Sequence, residues 1–228
     1  QWHENPVAIV ALIVLAPVLL TGFTFLSGDA ARTSALVDPR FKGEASFDNA
    51  PIPVECQGDN LPKPAATGIK TTNVGGRTYA FPVGEFDRTY YTCGHWDGSY
   101  ATDIGINGVN TGDPGVHLPV VAYTSGKILS TATGDSKGGK YIILAGDDDR
   151  YYYYAHNCAL YVQKDQRVSA GEVIAASGNT GSAADTPEHL HFAISNYPNF
   201  YNGGMACPST DFQSMLGIGR CSKEQQCP

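Results

Sequence analysis

From Tyr79 onward the chain is a succession of short apolar runs. Each is cut off by Gly, Asn, Asp or Ser before it reaches helical length. The runs are ATDIGI (101–106), LPVVAYTSGKILSTA (118–132), KYIILAG (140–146), RYYYYAHNCALYV (150–162), EVIAASG (172–178) and HLHFAIS (189–195). β-Branched and aromatic residues bounded by turn formers read as strands or strand pairs. No amphipathic helix separates them, so the expected fold class is all-β, an antiparallel β-sheet sandwich or barrel-like domain. Composition agrees: 26 Gly, 14 Pro and 13 Tyr, with only 16% charged residues, favour turns and strands over helices.

The N-terminus has a different texture. No charge occurs from Asn5 to Gly28, and residues 6–26, PVAIVALIVLAPVLLTGFTFL, are mostly Ile, Leu, Val and Ala. About 20 apolar residues span a bilayer as a helix, whereas the apolar part of a signal peptide is only about 7–15 residues long. No polar face exists at helical spacing, and Pro17 is tolerated in lipid. The sequence therefore divides into a membrane anchor helix (1–28), an extended Pro-rich arm (29–78), a β domain (79–200) and a Cys-rich tail (201–228).

All six cysteines, Cys56, Cys93, Cys158, Cys207, Cys221 and Cys227, follow the anchor, and none forms a C-x-x-C pair. That pattern disfavours a structural zinc site and reads as up to three disulfides in an oxidising compartment. Arg32, Arg40 and Lys42 after the anchor argue for a cytoplasmic C-terminal side, but Asp29 and Asp38 dilute that signal. The cysteines favour a single-pass protein with an extracytoplasmic domain, in periplasm, cell surface or virion. The net charge of −7, without a basic run, excludes nucleic acid as a partner.

Six histidines are present, and two of them, His189 and His191, are one residue apart at the head of the last run. In a strand they share a face, about 6–7 Å apart. That spacing suits one imidazole on a metal and the other beside it. An isolated H-x-H is as easily two polar residues on a solvated edge, so other residues must decide. CGHWDGSYATDIGI offers His95 and Asp103, with Asp97 as a rival carboxylate. YYYYAHNC offers His156, which strand alternation puts on one face with Tyr152, Tyr154 and Cys158. His117, in GDPGVHLPV, reads as a loop residue, and neither it nor His3 has a comparable setting.

Over roughly residues 81–195 the chain resembles the lysostaphin/LytM-type zinc endopeptidases, which cut peptides of bacterial cell walls. The resemblance lies in FPV, the His…Asp pair, VVAYTSGKI, the Y-x-H of YAH, VSAGEVIAASGNTG and the closing HLHF, in that order. It implies one Zn2+ per chain held by His95, Asp103 and His191, with His156 and His189 as catalytic histidines. One departure is that seven residues, rather than three, separate His95 from Asp103. Cys93 and Cys158 each lie two residues from one of these histidines, and the expectation is that they pair.

The chemistry fits the residue types. Catalytic zinc takes three protein ligands and keeps a position open. Histidine, with an unperturbed pKa near ~6.5, can take a proton from water and deliver one to a leaving amine. No H-E-x-x-H helix offers a competing solution. The expected function is a membrane-anchored zinc endopeptidase that hydrolyses peptidoglycan cross-links or stem peptides by a zinc-activated water. The alternatives are a non-catalytic relative that binds wall or activates a hydrolase, and a structural envelope or virion protein.

Overall fold

The computed structural model of the protein describes residues 56, 61–95, 99–106, 117–135, 137–200, 204–219 and 221. The expected membrane helix, most of the arm and the rival Asp97 lie outside them. Among the described residues no helix is long and apolar enough to cross a membrane. The strands, in chain order, are β1 (Thr71–Val74), β2 (Arg77–Ala80), β3 (Thr89–Tyr91), β4 (Ala101–Ile106), β5 (Pro119–Val121), β6 (Gly126–Asp135) and β7 (Gly139–Gly146). They continue with β8 (Tyr151–Asn157), β9 (Ala159–Leu160), β10 (Arg167–Val168), β11 (Val173–Ala176), β12 (His189–Ser195) and β13 (Met205–Ala206). One short helix, α1 (Pro208–Ser214), follows.

The strands form a large sheet in the order β10-β6-β7-β8-β12-β4-β3, with β13 also on β12, a small sheet β5-β11-β9, and the hairpin β1-β2. Pairing is antiparallel throughout these sheets. The all-β expectation therefore holds, with α1 as an addition in a stretch that reads as irregular tail.

Alternation decides what the central strands bury. Leu190, Phe192 and Ile194 of β12, Tyr152 and Tyr154 of β8, and Ile142 and Leu144 of β7 all enter one hydrophobic core. The rings interlock: Phe192 lies 5.1 Å from Tyr154 and 5.8 Å from Phe212, centroid to centroid. Phe212 of α1 is fully buried and meets Phe81 edge-on at 4.9 Å. The opposite face of β12 is thereby left for His189 and His191.

Buried hydroxyls and charges at one end of the core are paired, as burial demands. The Tyr154 hydroxyl accepts from the Tyr123 N–H at 2.8 Å. Arg150 reaches Asp211 of α1 at 2.6 Å and Asp148 at 3.2 Å, and the Tyr152 hydroxyl donates to Asp148 at 2.6 Å. This network ties α1 to the β7–β8 turn.

The expected Cys93–Cys158 pair does not form. The disulfides are Cys56–Cys158 and Cys93–Cys221, and Cys207 is also disulfide-bonded. Sheet order explains the correction: β3, which leads to Cys93, is separated from β8 by β4 and β12. Three inter-strand steps amount to about 14 Å, beyond the reach of ~7 Å between Cα atoms that a disulfide allows. Cys93 instead staples the tail, and Cys158 holds the arm. The arm residues nearest the domain also bond to it: the Tyr161 hydroxyl donates to Pro62 O at 3.1 Å, and the Glu85 and Phe86 N–H groups donate to Thr67 O and Gly68 O.

Candidate metal centre

The centre is built on β12 and its two neighbours. Register sets His191 directly opposite Asp103 of β4 on one side and Ala155 of β8 on the other. His191 Nδ1 lies 3.0 Å from one Asp103 oxygen, and His95 Nε2 lies 3.6 Å from the other. The His95 and His191 rings meet edge to face at 4.7 Å. His95, which follows β3, thus completes a His–Asp–His group whose ligand atoms all lie within 4.8 Å of one another. Tetrahedral zinc with bonds of about 2.0–2.1 Å needs ligand atoms some 3.3 Å apart. The observed separations straddle that value, so this donor set fits the ion. Burial alone would raise the Asp103 carboxyl, but the hydrogen bond from His191 and the surrounding imidazoles hold it well below the usual range.

His156 arrives by a different route from the one strand alternation predicts. Ile142 pairs with Tyr154, but Lys140 pairs with Asn157, so β8 has one more residue than β7 across this interval. His156 sits at the bulge with φ 63°, in the left-handed region. A bulge of this kind turns the following side chain to the other face. His156 therefore leaves the face of Tyr152 and Tyr154 and joins the histidines, 5.2 Å from the His189 ring and 5.7 Å from the His191 ring. Its alternation with the tyrosines stops at Tyr154.

Backbone carbonyls fix the tautomers of both outer histidines. His156 Nδ1 is 2.8 Å from Thr180 O, and His189 Nδ1 is 2.8 Å from Pro187 O. A carbonyl can only accept, so each Nδ1 carries a hydrogen. Both rings are largely buried, at 8% and 6% exposure. Burial, reinforced by His189 and His191, pushes the His156 imidazole down to about 3, so it is neutral near pH 7.

The Gly-rich stretch before the H-x-H serves this geometry. Thr180 Oγ1 donates to Asn157 O and accepts from the Lys140 N–H, which clamps the loop to β7 and β8. Gly181 next to it has φ +74°, and a Cβ there would lie 2.3 Å from Gly139 N and 2.4 Å from Lys137 O. Only glycine allows that approach. Thr180 was not singled out by its residue type, because its working atom is a backbone oxygen. The signal was the N-T-G sequence itself.

His117 is not a bare loop residue. Its Nδ1 lies 3.0 Å from Glu188 Oε2, and the Ser177 hydroxyl donates to Glu188 Oε1. All five expected site residues, His95, Asp103, His191, His156 and His189, thus meet on one face of the large sheet.

A His–Asp–His donor group with the imidazoles of His156 and His189 beside it, on an antiparallel sheet, could hold a metal ion. Peptidase family M23 matches residues 105–203, which include His156, His189 and His191. Glycyl-glycine endopeptidase ALE-1 of Staphylococcus capitis is 32% identical over 134 residues, 57% of this chain and 35% of its own length. Lysostaphin of Staphylococcus simulans is 30% identical over 141 residues, covering 57% of this chain and 26% of its own length. The crystallised catalytic domain of that lysostaphin aligns with 50% of this chain and 79% of its own, at 30% identity and a TM-score of 0.43. The chain thus spans about a third or less of the curated relatives it matches. Over residues 105–203 it is similar to peptidase family M23. His95 and Asp103 precede the matched segment, and β4–β12 pairing brings them to it.

Proposed function

We propose that the protein is a zinc metalloendopeptidase that hydrolyses peptide bonds of bacterial peptidoglycan, in cross-links or stem peptides. The observation that carries this reading is the convergence of His95 Nε2, Asp103 and His191 Nδ1 beside the imidazoles of His156 and His189, whose Nδ1 atoms face backbone carbonyls. His95, Asp103 and His191 would hold the ion. When bound, zinc supplies Lewis acidity, polarising a peptide carbonyl and making water a competent nucleophile near neutral pH.

The remaining chemistry belongs to the chain. Nε2 of His156 or His189 takes the proton that the attacking water gives up. The resulting imidazolium returns a proton to the amine as the C–N bond breaks, so no net proton remains on the enzyme. Nδ1–H bonds to Thr180 O and Pro187 O keep each ring oriented through both transfers. The substrate class rests on the similarity to the family and to a glycyl-glycine endopeptidase. In this reading the apolar residues 6–26 anchor the chain in a membrane, and the disulfides support an extracytoplasmic domain.

The test is metal analysis of the purified protein together with digestion of isolated wall sacculi. One zinc per chain and release of new amino termini, both lost to a chelator and restored by zinc, are the expected outcome. Chelator-insensitive cleavage, or stoichiometric zinc with no cleavage of any wall preparation, would defeat the proposal.

A further inference from the structure

A second group of metal-type donors shares no residue with the centre just described. Cys56, Cys158 and His117 each offer one ligand atom, and these lie within 4.8 Å of one another. His117 Nε2 faces Cys158 Sγ at 3.5 Å, while its Nδ1 is engaged by Glu188 at 3.0 Å, with Ser177 behind the carboxylate. A carboxylate on the far nitrogen is how proteins orient a histidine that binds metal through the other. Cys158 is fully buried, and the His117 and Glu188 side chains are only 14% and 15% exposed. These side chains are thus largely buried, yet the proposed hydrolytic chemistry uses none of them.

We infer that these residues form a redox-exchanged site: a disulfide in the oxidised chain, and a Cys2His site for a thiophilic divalent cation such as Zn2+ when the disulfide is reduced. Reduction adds two electrons and two protons across the Cys56–Cys158 bond and yields two thiols. Each thiol releases its proton as it binds the cation, and His117 coordinates as the neutral imidazole through Nε2. Tetrahedral zinc with thiolate bonds of about 2.3 Å sets its sulfurs about 3.8 Å apart. The sulfurs must separate to reach that distance, and Cys56 lies outside the strands. Cys158 is held, since its N–H donates to Ala176 O at 2.9 Å. The arm thereby stays pinned to the β8–β9 junction in either redox state. A chain that meets reducing conditions before oxidation keeps the same tether.

The experiment uses the full chain with zinc present and a water-soluble trialkylphosphine as reductant, which leaves as its phosphine oxide with the oxygen of one water. The expected result is one more bound zinc per chain after reduction than before. Co2+ in place of zinc should give thiolate-to-metal charge-transfer absorption in the reduced chain alone. His117→Gln, which can still bond to Glu188, should lose the added equivalent. Alkylation with peptide mapping then distinguishes thiols: zinc should protect Cys56 and Cys158 together, leaving Cys93 and Cys221 reactive. No gain of metal on reduction would overturn the inference. So would an unchanged gain in His117→Gln, or full alkylation of Cys56 and Cys158 in zinc.

Discussion

Replacing Gly181 by Ala tests whether the Gly-rich loop positions the chemistry rather than merely closing a turn. Its φ of +74° would cost an L-residue about 1–2 kcal/mol. A Cβ there would also lie 2.3 Å from the Gly139 nitrogen, and both nearest atoms belong to the backbone. Opening that contact to an ordinary 3.4 Å requires a shift of about 1 Å. Thr180, the neighbouring residue, must move with it, and its carbonyl oxygen holds His156 Nδ1. A displacement of about 1 Å at a positioned group can cost ~10²-fold in rate, or ~2.7 kcal/mol of barrier. His95, Asp103 and His191 take their positions from β3, β4 and β12, so zinc binding should survive.

Gly75→Ala is the matched control. Its φ of +58° carries the same conformational penalty, but nothing lies within 4 Å of the added Cβ. Denaturant midpoints, zinc content and turnover on soluble wall fragments should be measured for both variants. Gly75→Ala should lose about 1–2 kcal/mol of stability and no turnover per folded molecule. Gly181→Ala should lose more stability and ~10²-fold in turnover with zinc retained. Equal turnover in the two variants would refute the reasoning, because Thr180 would then not control His156.

His191→Ala should abolish both zinc and cleavage, and stoichiometric zinc in that variant would remove His191 from the ligand set. His156→Ala and His189→Ala should keep zinc and fold but lose ~10²–10⁴-fold in turnover, read on the same wall fragments. Near-normal rates in both would move the proton chemistry elsewhere. Phe212→Ala empties a fully buried ring site against Phe81, Tyr91 and Phe192, and should cost about 3–5 kcal/mol in a denaturant titration. Cys56→Ser opens a bridge of 102 residues' separation and should lower stability by about 2–5 kcal/mol under oxidising conditions.

Local pattern carried much of this fold into the sequence. HLHFAIS alternates without interruption, and its two faces in the structure are those of a regular strand: Leu190, Phe192 and Ile194 to the core, the histidines opposite. Helix α1 was hidden for the converse reason. Phe212, Met215 and Leu216 stand at helical spacing, but seven residues are too few for periodicity to emerge from a tail rich in Gly and Cys. The disulfides were unreadable because pairing depends on which strands lie between two cysteines. Cys93 and Cys158 have the same short offset from a histidine, yet two strands separate the elements that lead to them.

The site divides along the same line. His189 and His191 are legible together because one strand carries both. His95 and Asp103 are not, since a carboxylate eight residues beyond a histidine fits many surface loops. What unites them is the non-local register that sets Asp103 beside His191. His156 is the instructive case. Strict alternation assigns it to the core face with Tyr152 and Tyr154, where its imidazole could not reach the metal centre. One extra residue on β8 and a left-handed φ of 63° reverse that assignment. Such a backbone costs a non-glycine residue energy. The hydrogen bonds of the His156 N–H to Gly138 O and of its Nδ1 to Thr180 O hold the residue there. The residue that breaks the strand rule is the one that the proposed chemistry requires on the other face, and the N-T-G loop is the element that keeps it there.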